Sequence, residues 1–338
     1  MRLVIRTLLA ASSAARGYTN QVAMQAASSV MLNDGRAHPL IGYGTYKVGV
    51  IPASASSAAA GGASPTDAAN PADCVRLAIE CGYRFFDCAE FYANEAAVGE
   101  GIAASGLPRA ELFLASKVWT STIHAGPEAV QKQLEKTLKD LRTDYIDLYC
   151  IHWPVPGKHV AAYKQLEKAV LAGQVRSLGV SNYAVEDYKE LMESATIRPT
   201  VNQIEINPFL YRKNTIKFFE EAGVKMQAYR ALRDGKAFTE PSVVEIAAKH
   251  KVSPAQVLGR WCVQHGFIYI PKSVKKERML ENMDVFSFVL DEADMQILDN
   301  KTTPEAIATF KALYTKCVVR DTPDADRPEL AKSVITED

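Results

Sequence analysis

What most constrains this chain is a regular alternation of short apolar runs with amphipathic helical stretches, beginning near residue 71 and continuing past residue 270. RFFDCA, LFLASKVW, IDLYCIHW, VRSLGVSN, TVNQIEIN, VKMQAYR and FIYIPKS read as strands buried on both faces, the pattern of a covered parallel sheet. PADCVRLAIECG, NEAAVGEGIAASG, GPEAVQKQLEKTLKDL, VAAYKQLEKAVLAG, VEDYKELMESA, RKNTIKFFEEAG, PSVVEIAAKHK and SPAQVLGRWCVQHG read as the intervening helices. With LIGYG as the first strand there are eight, and right-handed crossovers place every helix outside, so the units close into a (β/α)8 TIM barrel. A doubly wound sheet would want a glycine-rich phosphate turn directly after an early strand. Gly99 to Ala104 has the spacing G-x-G-x-x-A, but it sits inside a helical pattern several residues past Phe86 and is assigned to helix packing.

Upstream, VMLNDGRAHPLIGYGTYKV sets two apolar runs around an Asn-Asp-Gly turn, an N-terminal β-hairpin leading into a strand that ends near Gly44 and Thr45. A glycine there permits close approach of something bound. Residues 1–30 carry Arg2, Arg6 and Arg16, many Ala and Ser, and no acid before Asp34. They resemble an organelle transit peptide, with an untargeted disordered tail as the alternative. The expected location is therefore cytoplasmic or, with import, mitochondrial or plastid. The run LVIRTLLAA is broken by Arg6 and falls short of the roughly 20 apolar residues that span a bilayer. The barrel is assigned to residues 31–320, with an Ala/Ser/Gly-rich surface loop inserted at 51–70 and a polar tail at 321–338. The chain beyond Pro304 is expected to be polar and to fold over the barrel mouth or stay mobile.

Lys plus Arg equals Asp plus Glu at 39 each, so no global field gathers nucleic acid or an anionic membrane, and a small-molecule partner is favoured. Cys74, Cys81, Cys88, Cys150, Cys262 and Cys317 form no CxxC pair and read as reduced thiols of an intracellular protein. The histidines are not spaced as metal ligands, and no association strip is visible, so no metal and a monomer are expected.

A barrel of this kind places its site at the carboxyl ends of the strands. Asp87 closes FFD, Tyr92 follows on the same loop, Lys117 closes LFLASK and His152 closes LYCIH. Carbonyl reduction needs a proton donor at oxygen, and an ordinary tyrosine, with a pKa of about 10, is poorly matched to neutral pH. A neighbouring Lys117 ammonium would favour the ionised form, Asp87 would hold that ammonium, and His152 would orient the carbonyl oxygen. A strand-end lysine could instead form a Schiff base, as in an aldolase.

GYRFFDCAEFYANEAAVG, SKVW, LYCIHWP, GVSN, NQIEINP and IPKSVKKERMLEN resemble, in order, the successive signatures of the aldo-keto reductases, over roughly residues 32–300. The resemblance implies NADPH-dependent reduction of an aldehyde or ketone by hydride transfer, with Asp87, Tyr92, Lys117 and His152 as the catalytic tetrad. It further implies that Ser181, Asn182 and Gln203 bond the nicotinamide carboxamide while Tyr229 stacks on the ring. Lys272, Ser273 and Arg278 would grip the 2′-phosphate, with Glu281 and Asn282 near the adenine and Gly44 and Thr45 beside the cofactor. Read without the family, Ser181 and Asn182 would end a strand and cap a helix, and the Lys272–Arg278 stretch would be a general anion site or a solvated helix start. Tyr46, Trp119 and Trp153 are assigned to the substrate wall, with ordinary core as the alternative. The sequence departs from the family where Arg230-Ala231-Leu232-Arg233 follows Tyr229, and those arginines are expected to meet the cofactor phosphates. Phe86 and the 51–70 insert are expected to reshape access, and short loops at 153–160 and 230–240 imply an open pocket for small or polar carbonyls. A regulatory subunit that binds cofactor with little turnover is the alternative function.

Overall fold

The computed structural model describes residues 29–49, 69–319 and 321. The transit-peptide reading of residues 1–28, the insert at 51–68 and the tail at 322–338 lie outside the described residues. Strands β1 (Ser29–Met31) and β2 (Ala37–Pro39) pair antiparallel around Gly35, whose φ of 82° is the left-handed turn that favours glycine. The hairpin thus starts at Ser29, two residues inside the stretch read as a tail.

Eight parallel strands follow: β3 (Tyr43–Gly44), β4 (Phe85–Asp87), β5 (Phe113–Val118), β6 (Ile146–Ile151), β7 (Val175–Ser181), β8 (Val201–Glu205), β9 (Lys225–Tyr229) and β10 (Ile268–Tyr269). Each pairs with its neighbours in chain order. A parallel bridge between Ile41 and Tyr269 closes the ring, with Tyr269 N–H donating to Leu40 O at 2.7 Å and Gly42 N–H to Tyr269 O at 2.9 Å. The expected (β/α)8 barrel is the fold.

The helices are α1 (Pro71–Glu80), α2 (Glu95–Ala104), α3 (Thr120–Ala125), α4 (Pro127–Asp140), α5 (His159–Leu171), α6 (Val185–Met192), α7 (Lys213–Glu221), α8 (Pro241–His250), α9 (Pro254–Gln264), α10 (Lys276–Met283), α11 (Glu292–Asp299) and α12 (Pro304–Val318). Caps placed by sequence hold several in position: Asn70 accepts from Ala72 N–H, and Ser253 forms a capping box with Gln256. Gly99 and Gly101 lie inside α2, where a Cβ would come within 2.1 Å of Asp140 O and 2.5 Å of Ala72 O. The G-x-G-x-x-A spacing is helix packing, as read.

Strand period decides which residues meet the site. Phe85 points into the barrel, where it packs with Leu32 of the hairpin, Leu148, Val201 and Ile268. Phe86 joins Cys74 and Val75 of α1 in the outer core, so it does not shape substrate access as expected. Asp87 returns to the interior. Helix α12 corrects another expectation: it is not polar throughout but buries Tyr314, Cys317 and Val318 against Trp119 and Trp153. None of the six cysteines is in a disulfide, and no described helix is long and apolar enough to cross a membrane.

Candidate active site

The site is built where β4, β5 and β6 end. After Asp87 the chain makes a tight turn, Glu90–Tyr92, reversed by Ala93 at φ 54°. Asn94 fixes this turn to the first strand by donating to Thr45 O and Val48 O, each at 2.9 Å. The turn aims Tyr92 inward over β5. Within β5, Ser116 faces outward, donating to Glu95 at 2.5 Å, so Lys117 must face the interior.

Lys117 is fully buried, and its ammonium donates to both oxygens of Asp87 at 2.9 Å, to Cys88 O at 2.9 Å and to the Tyr92 hydroxyl at 3.2 Å. A buried charge survives only when paired and hydrogen-bonded in this way. Burial would strip its proton, but the Asp87 carboxylate and the neighbouring Tyr92 outweigh burial and raise the pKa, so Lys117 stays cationic. At Tyr92 the balance differs from the expected one. Burial is the largest effect and raises the hydroxyl well above its ordinary value; Lys117 pulls it down and Asp87 pushes it up. The resting site therefore holds a protonated Tyr92, because desolvating a tyrosinate costs more than one ammonium returns.

His152 follows β6, and its ring stands edge-on to Tyr92 (centroids 5.9 Å, 84°) and to Trp119 (4.9 Å, 82°). Its carbonyl accepts from Asn182 Nδ2 at 3.0 Å. Asn182, in left-handed backbone at φ 58°, also accepts from the Tyr229 hydroxyl at 2.8 Å, while Ser181 Oγ donates to Gln203 O at 2.9 Å. Gln203 donates from Nε2 to Asp87 at 2.8 Å.

A cavity of about 430 Å³ opens above these groups. Asp87, Tyr92 and His152 line one region of it, and Lys117 lies behind Tyr92. Gly44, Ser181, Asn182, Gln203, Tyr229, Lys272, Ser273, Arg278, Glu281 and Asn282 are brought together along its wall, as are Tyr46, Trp119 and Trp153. Thr45 does not: it is fully buried behind the wall and donates its hydroxyl to Asp87 O at 2.9 Å, tying β3 to β4. At Gly44 the close approach is to the end of β10, where a Cβ would meet Ile270 at 3.3 Å. Arg230 is taken by Glu205 at 3.0 Å and Asp234 at 3.2 Å, and Arg233 lies over the Phe209 ring at 4.6 Å, so neither is poised for a phosphate as expected.

Several wall residues were not anticipated. Phe91 stacks on Trp119 at 4.0 Å, and its place between Asp87 and Tyr92 was the available signal. Leu313 and Cys317 reach the cavity from α12, closing in apolar side chains what short loops had suggested was open. Their signal was the helical spacing within PEAIATFKALYTKCV.

A closed barrel with a buried carboxylate–ammonium–phenol chain at its carboxyl-end mouth defines an oxidoreductase class, and the sequence places the chain within it. Residues 41–303 match the Aldo/keto reductase family, and the chain belongs to that family. It is similar to glyoxal reductase of Bacillus subtilis (strain 168), 38% identical over 82% of this chain and 94% of the relative. NAD(P)H-dependent D-xylose reductase of Scheffersomyces stipitis is 38% identical over 79% and 91%. Among solved structures, a Gox0644 mutant in complex with NADPH aligns with a TM-score of 0.73 at 34% identity, covering 82% of this chain and 94% of that one. A Bombyx mori aldo-keto reductase in complex with NADP aligns with a TM-score of 0.70 at 30% identity, covering 81% and 92%.

Proposed function

We propose that the protein reduces an aldehyde or ketone to the alcohol, using NADPH. The observation that carries this reading is the continuous chain Asp87–Lys117–Tyr92 beneath a cavity whose wall also carries Lys275 and Arg278 at the start of α10 and Lys272 in the segment leading into it. Cations at a helix N-terminus suit a phosphate. The family and the nicotinamide cofactors named in the solved relatives support the same reading.

The bound reduced nicotinamide supplies the hydride. Tyr92 gives its hydroxyl proton to the carbonyl oxygen, and the Lys117 ammonium stabilises the oxygen left behind. Asp87 keeps that ammonium charged and in reach. His152, edge-on to Tyr92, orients the carbonyl. In the same reading Gln203, Ser181 and Asn182 frame the carboxamide, Tyr229 covers the ring, Lys272, Ser273 and Arg278 hold the 2′-phosphate, and Glu281 and Asn282 flank the adenine. Tyr46, Phe91, Trp119, Trp153, Leu313 and Cys317 make the wall that receives the body of the substrate.

Loss of NADPH absorbance with a panel of aldehydes and ketones tests this. Tyr92→Phe is expected to lower kcat by about 10²- to 10⁴-fold, the usual worth of a general acid, while leaving NADPH affinity intact. Tight cofactor binding with no turnover of any carbonyl in the wild type would favour the regulatory-subunit reading instead.

A further inference from the structure

We infer that Gln227 is a positioning residue for this reaction: it locks the amide of Gln203 so that only its carbonyl oxygen is presented to the nicotinamide carboxamide. The inference rests on the cofactor reading given above.

Strands β8 and β9 place Gln203 and Gln227 directly opposite one another. Both are buried, Gln227 completely. Which way the Gln203 amide turns is settled by its charged neighbour. Asp87 takes two hydrogen bonds from Lys117 and a third from Gln203 at 2.8 Å. A carboxylate can only accept, so the nitrogen, not the oxygen, of Gln203 must face it. One N–H of Nε2 is thereby used. The other goes to Gln227 Oε1 at 2.9 Å. With both N–H groups directed away, Oε1 is the part of this amide left for the cavity that Gln203 lines. An amide that can only accept selects the NH2 end of a carboxamide and opposes its oxygen.

Gln227 is a costly choice for a barrel interior, because its own Nε2 is buried with no hydrogen-bond partner in the structure. Its register partner on the other side is Ile268, an apolar residue, and a methionine of similar length would fill the same space without burying an amide. Packing therefore does not explain glutamine here, whereas the bond to Gln203 does. Gln227 touches neither substrate nor cofactor in this scheme; it acts through Gln203 and, beyond it, on Asp87 and Lys117.

The test compares wild type, Q227M and Q203M by calorimetric binding of three probes: NADP, its analogue with a nicotinic acid carboxylate in place of the carboxamide, and adenosine 2′,5′-bisphosphate, which lacks the ring. The wild type is expected to prefer the carboxamide, since an acceptor-only Gln203 repels a carboxylate. Q227M is expected to weaken NADP by roughly five-fold, the worth of one hydrogen bond, and to narrow that preference, with bisphosphate affinity and thermal midpoint near wild type. If Q227M leaves NADP affinity and preference unchanged while Q203M loses both, the inference is overturned and the cofactor reading stands. If Q203M changes neither, the carboxamide is not held there and both fall. A collapsed thermal midpoint with equal losses for all three probes would make Gln227 a structural residue and likewise overturn the inference.

Discussion

At Tyr92 burial and the Lys117 charge oppose each other, and burial wins. The consequence is a pH dependence of definite sign. The protonated form is the active acid for reduction, and its pKa lies above the ordinary tyrosine value of about 10. Reductive kcat/KM is therefore expected to stay flat through neutral pH with respect to this group and to fall only in strong alkali. Oxidation of the alcohol needs the deprotonated oxygen and should climb with pH over the same range. A reductive downturn between about pH 7 and 8 that disappears in Tyr92→Phe residual activity would show that Lys117 wins instead. The residue types were legible, because each stands at the end of an apolar run. Their ionisation was not, since it depends on depth of burial. Thr45 shows the same limit: its place next to Gly44 suggests a cofactor contact, yet just past the end of β3 it turns to the rear of the wall, where its hydroxyl donates to Asp87 O.

Among the elements, α2 carries two residues whose roles come from what it packs against. Gly99 meets the end of α4, and Gly99→Ala would set a methyl 2.1 Å from Asp140 O. Forcing these helices apart is expected to cost about 1–3 kcal/mol, read as a lowered Tm with kcat retained in the folded fraction. On the face of α2 toward β5, Glu95 accepts from Ser116 and from Thr137, and burial, opposed by those two hydrogen bonds, raises it to about 7. The folded value lies above the unfolded one, so its contribution to stability is fully present below about pH 4 and is lost as pH rises through 7. Glu95→Gln cannot ionise; it is expected to gain on the wild type by an amount on the order of 3 kcal/mol at pH 8 and to lose that advantage at pH 4. Melting curves at the two pH values decide, and an equal difference at both would refute the buried titration. Helical periodicity revealed α2 but gave no sign that Glu95, a charged residue beside a capping position, is enclosed.

For the whole molecule, the closed ring brings residues more than two hundred positions apart to one mouth, and α12 is laid across it. Tyr314 of α12 donates to Asp187 of α6, and Thr120 at the start of α3 donates to Asp321, three residues past the end of α12, at 2.5 Å, fastening the helix and the segment after it to the helices that follow β7 and β5. Ending the chain at residue 303 removes Leu313 and Cys317 and uncovers Trp119 and Trp153. The ratio of kcat/KM for a large apolar aldehyde to that for a small polar one is expected to drop about ten-fold, as when a methylene or two of contact is lost, with NADPH affinity unchanged. An unaltered ratio would place the substrate away from α12.

The sequence by itself determined the barrel, because the periods of strand and helix are local and eight apolar runs with helices between them have few ways to close. It also determined which chemistry-bearing residues reach the mouth, since a strand end is a position along the chain. Only the tertiary structure decided what each residue faces there: that Arg230 is spent on Glu205 and Asp234, that α12 narrows the pocket, and that Gln203 turns its nitrogen to Asp87. Those outcomes depend on charges, burial and hydrogen-bond partners contributed by other strands, which no local pattern records.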